Sequence, residues 1–278
     1  MSTPQPPRAT LATTQLFSPA SIPEMYEQLL VGPLFSPWVD PLLDDVELRP
    51  GDRVLDVACG TGVVARGAAA RLDDTESVVG VDVSPGMLAV ARRVEPGIDW
   101  REGSASDLPL RAGEQFDVVV CQQGFQFFPD RHAAARQMRR ALANGGRVGI
   151  STWRPDEEFP VLRQLREIAE RRLGPIDDRR HSLSDPAPVE TALREGGFRD
   201  VRSRRLTRTI RFPDGAVFVR MNAMALVGMS AGAGDLDEVA RKQVVADIVA
   251  DSADLIRANT DASGFSYELG TNVALARA

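Results

Sequence analysis

Short apolar runs alternate with longer amphipathic stretches through the middle of the chain. Residues 54–58, 78–83, 116–122 and 146–153 are rich in Val, Ile and Cys with few charges. Runs of this kind predict strands buried on both faces. Residues 100–104 predict a further short strand. Between them, residues 63–71, 85–93, 131–143 and 160–173 place apolar residues every three to four positions, the period of a helix with one buried face. Strands that alternate with helices predict a parallel sheet covered on both sides.

The flanks follow other patterns. Residues 1–20 read as a flexible arm. Residues 21–45 carry Met25, Leu29, Leu30, Leu34, Phe35, Trp38, Leu42 and Leu43 in a broken helical period, cut into short pieces by Pro33, Pro37 and Pro41. After Gly174 the chain is an Arg- and Asp-rich loop to His181. Residues 185–196 predict a helix stopped by Gly196-Gly197, and 198–212 a strand. Residues 215–229 and 235–258 predict helices, the second with Leu236, Val239, Ala240, Val244, Ile248 and Leu255 near one face. Residues 266–276 predict a last strand. The expected fold is α/β: a doubly wound, mostly parallel seven-stranded sheet in one domain over 21–278. Its parts are a helical cap (21–45), a core (46–212), a helical lid insertion (213–260) and a last core strand (266–276).

Composition narrows the chemistry. The 278 residues are 43% hydrophobic and 26% charged, as in ordinary globular proteins. A net charge of −6 argues against nucleic acid or an anionic membrane surface as partner. No apolar run approaches the roughly 18–20 residues of a membrane span. The first residues lack the apolar core of an export signal, so a cytoplasmic location with reduced thiols is expected. Cys59, Cys121, His132 and His181 are the only Cys and His, and their spacing fits no metal pattern. The single lysine, Lys242, lies beside Arg241 in a helical stretch, which argues against Schiff-base chemistry.

The most informative segment is Val54-Leu55-Asp56-Val57-Ala58-Cys59-Gly60-Thr61-Gly62, a strand entering a glycine turn before a helix. Glycines there admit a ligand close to the backbone, and the helix start offers free N–H groups. Some twenty residues on, Val79-Gly80-Val81-Asp82 ends the second strand with a carboxylate suited to ribose hydroxyls. Gly60-x-Gly62-x-x-Ala65 also satisfies the dinucleotide fingerprint. Asp56 separates the two readings. A pyrophosphate near it would meet like charge, whereas S-adenosylmethionine carries a sulfonium and an ammonium. The residues therefore favour S-adenosylmethionine over NAD.

With these motifs in order, followed by residues 103–109, 116–130 and 142–150, the sequence resembles the class I S-adenosylmethionine-dependent methyltransferases. It is similar above all to the small-molecule branch of the ubiquinone/menaquinone C-methyltransferases. The resemblance implies that Asp56 helps hold the methionine ammonium and that the backbone at Ala58, Gly60 and Gly62 lies against the cofactor. It implies further that Asp82 binds the ribose and that Val83 and Met87 flank the adenine. Tyr26, Thr61, Ala105, Ser106 and Gln122 complete the expected cofactor shell. Where the family often has Asp-Ala after the third strand, this chain has Ser104, so either Ser104 or Asp107 would meet the adenine amino group.

A second departure concerns catalysis. Many relatives carry a His after the fourth strand, where this chain has Gln126 and Phe127. His132 reads as a surface or capping residue and His181 as part of the Arg-rich loop, so the sequence names no general base. A phenolate, carboxylate or carbanion-like acceptor would need little help beyond alignment in a dry site. Gln123, Gln126, Phe127, Trp153 and Met221 are the candidate acceptor contacts. Phe17, Tyr26, Phe35, Trp38, Phe125, Phe218, Met224 and Met229 could help close the opening, and Arg154 could pair with a carboxylate. The leading expectation is methyl transfer to a small, fairly apolar acceptor. A non-methylating protein on the same fold, an NAD-dependent oxidoreductase and a nucleic-acid methyltransferase are the alternatives.

Overall fold

The computed structural model describes residues 22–278; the expected arm, with Phe17, lies outside them. The described chain begins with α1 (Ile22–Met25), a wide helical stretch Tyr26–Phe35 and a 3₁₀ turn Ser36–Trp38, and enters α2 (Val39–Asp45). The prolines do not all break this region. Pro33 sits inside the wide stretch, while Pro37 lies in the first turn of the next piece, where no helical N–H is needed.

The core then runs β1 (Val54–Val57), α3 (Val63–Leu72), β2 (Val78–Asp82), α4 (Pro85–Val94), β3 (Asp99–Glu102), β4 (Phe116–Gln122), α5 (Arg131–Ala141) and β5 (Leu142–Trp153). It continues as α6 (Pro160–Leu173), α7 (Ala187–Glu195), β6 (Arg199–Phe212), α8 (Gly215–Met229), α9 (Glu238–Asp251), α10 (Ala253–Ala258), β7 (Thr260–Asp261) and β8 (Gly264–Arg277). The sheet order is β3-β2-β1-β4-β5-β8-β6, with β7 a short addition paired to β8. Strands β3 to β5 are parallel, and β8 lies antiparallel between β5 and β6. The doubly wound, mostly parallel sheet is thus as expected, with the two-residue β7 as an eighth strand.

Some boundaries differ for local reasons. β5 begins at Leu142, because Leu142 pairs with Phe116 across a bulge before the regular register from Val118↔Arg147. The helix expected over 235–258 breaks at Ser252, whose Oγ–H donates back to the Ile248 carbonyl at 2.7 Å.

Alternation along β1 divides the core. Leu55 and Val57 face α5 and α7 with Met138, Ala134 and Leu193. Val54 faces α2 and α3 with Leu42, Leu43 and Ala68. A third cluster lies beyond the strand ends and joins Trp153, Phe212, Phe265 and Tyr267 to α6, α8 and α9. The chain winds from β1 toward β3 on one side and from β4 toward β5 on the other. The crevice between the carboxyl ends of β1 and β4 is therefore the natural ligand position of such a sheet.

Candidate functional site

The turn after β1 is held open by its backbone. Ala58, Gly60 and Gly62 have φ of 59°, 57° and 89°. The Gly60 N–H donates to Asp82 Oδ2 at 2.8 Å, and the Ser84 N–H donates to Asp82 Oδ1 at 2.9 Å. One carboxylate at the end of β2 thus ties the glycine turn to the start of α4, where Ser84 Oγ accepts the Met87 N–H. Its remaining lone pairs face the crevice, which Gly60, Asp82, Val83, Ser84 and Met87 line together with Ser104, Ala105 and Ser106.

These residues form one end of a cavity of about 1090 Å³. Ala58, Tyr26, Phe35, Gln123, Gln126, Phe127 and Trp153 also line it, as do Met221, Asn222, Met224, Tyr267, Arg180 and His181. The strand ends are tight: a β-carbon on Gly124 would lie 2.6 Å from Ala58 Cβ. Gln123 and Gln126 are buried, with side-chain N–H groups donated to Thr271 Oγ1 and to the Gln123 carbonyl. Their Oε1 atoms have no hydrogen-bond partner. Burial raises the Tyr26 phenol far above its ordinary range, and the negative charge of Asp82 adds to this.

Several expected residues stand elsewhere. Asp56 does not line the cavity; it is buried, and its Oδ2 accepts the Ala65 N–H in the first turn of α3 at 3.0 Å. Burial pushes its carboxyl up to about 8 against that hydrogen bond, so without a cationic ligand it holds a proton near neutrality. Gly62 does not line the cavity either: its missing side chain makes room for Trp100. Thr61 is buried behind the turn with Oγ1 unpartnered. Asp107 is exposed and paired with Ser104 in a small β-bridge. Gln122 turns toward the cap and donates from Nε2 to the Phe35 carbonyl. Among the proposed lid residues, Trp38, Phe125, Phe218 and Met229 pack in the core or against it. Arg154 pairs with Glu158 and Thr207 outside the cavity.

The polar group of Arg180, His181 and Asn222 was not legible in the sequence. Arg180 donates from Nε and Nη2 to both oxygens of Asp178, and from Nη1 to Asn222 Oδ1 at 2.9 Å. Burial opposes the Asp178 charge, yet Arg180 holds that carboxyl below its usual range. His181 lies half-buried beside it, with Nδ1 2.7 Å from the Arg154 carbonyl oxygen. The rarity of histidine was the one signal available.

Comparison with known proteins agrees with this geometry. Residues 54–146 match a family model described as a methyltransferase domain. The chain is 32% identical to nocamycin O-methyltransferase of Saccharothrix syringae, covering 66% of this chain and 72% of that protein. It is 31% identical to demethylmenaquinone methyltransferase of Beutenbergia cavernae, covering 71% and 84%. In fold it is similar to phosphoethanolamine N-methyltransferase 2 of Haemonchus contortus, solved with phosphomonomethylethanolamine and S-adenosylhomocysteine. That likeness has a TM-score of 0.56 and 18% identity, over 96% of this chain and 60% of the other. The chain belongs to the class I S-adenosylmethionine-dependent methyltransferases. Its cofactor is S-adenosylmethionine, which decides between the two readings of the glycine turn. No helix among the described residues is long and apolar enough to cross a membrane.

Proposed function

We propose that the protein methylates a small, largely apolar acceptor held between the glycine crevice and the Met-rich face of α8. The observation that carries this is the single cavity of about 1090 Å³ that reaches from Gly60 and Asp82 to Met221 and Met224. Drug-sized ligand sites occupy about 300–1000 Å³, so both cofactor and acceptor fit. The nocamycin and demethylmenaquinone enzymes support an acceptor of this type.

The crevice suits the cofactor. Gly60 leaves open space where a side chain would stand, and Asp82 presents a carboxylate beside it. In this reading Asp82 holds the ribose hydroxyls, Val83 and Met87 flank the adenine, and Ser104 meets its amino group. Asp56, protonated while the crevice is empty, would ionise behind the wall when the cationic cofactor enters. When bound, S-adenosylmethionine supplies a methyl group on a sulfonium. The protein's share is alignment and dryness: Tyr26, Phe127, Trp153 and Met221 exclude water and fix the acceptor, with Gln123 and Gln126 in the wall beside them.

The test is methyl transfer from labelled S-adenosylmethionine to a set of quinols, phenols, carboxylates, amines, nucleic acid and protein. Transfer to the quinols, phenols or small carboxylates is expected. Transfer confined to nucleic acid or protein would overturn the proposal.

A further inference from the structure

We propose that His181 is the general base of the reaction, taking the proton from an acceptor hydroxyl, and that the acceptor is therefore a hydroxyl compound. This rests on the methyltransferase reading of the cavity. A backbone carbonyl can only accept, so the 2.7 Å contact with the Arg154 oxygen places a proton on His181 Nδ1. Neutral imidazole carries one ring proton, which leaves Nε2 as a bare acceptor. Among the described residues no protein group bonds to Nε2, and the residue lines the cavity.

The turn that carries the histidine is also well placed. Residues Arg179–His181 pack against the turn Phe125–Phe127, and that turn follows Gly124, which is pressed against Ala58 beside the glycine crevice. The base is thus brought to the cofactor side by two successive contacts. It lines the same cavity as Gly60, and the position after β4 where many relatives carry a His is Gln126 here.

Charge around the ring favours the base-competent form. Burial lowers the imidazole below its ordinary pKa and Arg180 on its own turn adds to this, while Asp178, the hydrogen bond to the Arg154 carbonyl and Glu157 act in the opposite sense without overcoming it. Arg180 is paired with Asp178, and the buried Tyr267 phenol of β8 lies within the field of Arg180. The ring is therefore neutral near pH 7, with Nε2 unprotonated.

In the step, the acceptor O–H bond breaks and its proton goes to Nε2. The oxygen lone pair forms the new O–CH₃ bond, and the pair of the breaking C–S bond stays on sulfur. The imidazolium is held by the Arg154 carbonyl until the product leaves, when it passes its proton to water.

Two measurements test this. The chain has two histidines, so ¹⁵N spectra of the wild type at pH 7.5, assigned with His132→Asn, report the His181 tautomer directly. A proton on Nδ1 with bare Nε2 is expected; a proton on Nε2 overturns the proposal. The second compares wild type with His181→Gln on phenols of pKa about 7 to about 10 and on carboxylates. The variant should lose about 10²–10⁴-fold in kcat on the least acidic phenols and little on those already ionised, with S-adenosylhomocysteine affinity unchanged. The acidic limb of its kcat/KM profile should vanish. Equal rates on every phenol, or transfer to carboxylates and to no hydroxyl, overturns the base and leaves the methyltransferase reading intact. Failure of both S-adenosylmethionine and S-adenosylhomocysteine to bind would instead overturn the site itself.

Discussion

The indole of Trp100 occupies the space in which a side chain on Gly62 would begin: a β-carbon there would lie 2.2 Å from Cη2. Trp100 also lies 2.4 Å from the position of a β-carbon on Gly80, so one ring on β3 covers a glycine of the turn before α3 and a glycine within β2. Gly62→Ala meets both this clash and a φ of 89°. It should destabilise the fold by about 2–4 kcal/mol, lowering Tm by roughly 5–15 °C. Gly60→Ala meets no atom within 4 Å, so only its φ of 57° strains the alanine, by about 1–2 kcal/mol; it should cost less stability than Gly62→Ala and more cofactor affinity. Thermal unfolding and calorimetry with S-adenosylhomocysteine check the contrast; an unchanged Tm for Gly62→Ala would sink the packing account.

Asp82 and Asp107 should behave differently. Asp82→Ala removes a carboxylate from the crevice and frees the Gly60 and Ser84 N–H groups. With charged hydrogen bonds worth roughly 1.5–3 kcal/mol each, S-adenosylhomocysteine should bind about 30- to 1000-fold more weakly. Asp107→Ala, an exposed position away from the cavity, should bind within about twofold of wild type. Equal affinities for wild type and Asp82→Ala would show that the ribose sits elsewhere.

The buried Asp56 makes stability depend on pH. Its carboxyl titrates at about 8 in the folded protein, against an ordinary 3.8. Between those values the folded state keeps a proton that the unfolded chain has released. The contribution is fully present below about 3.8 and is lost as pH rises through about 8. Asp56→Asn keeps an acceptor for the Ala65 N–H and does not titrate. Measured from pH 5 to 9, wild type should therefore lose stability relative to Asp56→Asn; parallel curves would remove Asp56 as the cause.

The helices between β6 and β8 divide into a fixed and a looser part. Phe218 of α8 is buried against Phe212, Phe265 and Tyr267, with ring centroids 4.6–5.2 Å apart. In α9 only Val245 and Ile248 are buried, while Leu236, Glu238 and Arg241 reach the cavity rim. We predict that hydrogen exchange will find α8 protected in the free protein. The segment from Gly228 to Arg241 should exchange quickly and gain protection with S-adenosylhomocysteine. Protection of that segment equal to β1 in the free protein would mean a permanently open cleft.

The strand runs, the helix period and the order Asp56, Gly60, Gly62, Asp82 were sufficient for the sheet, its winding and the cofactor's identity. Strand alternation and a glycine turn are local properties, and a parallel sheet brings its loops to one end by construction. Tertiary structure alone decided which of those residues face the crevice. Gly60 and Gly62 are alike in the sequence, yet only Gly62 meets Trp100, a ring contributed from 38 residues further along the chain. Asp56 reads as a ligand anion until its burial beneath α3 makes it a protonated cap. His181 and Arg180 sit in a loop whose local pattern predicts nothing, because their role depends on packing against a turn more than fifty residues earlier in the chain. Contacts between distant segments are set by how whole layers pack, and no local period carries that information.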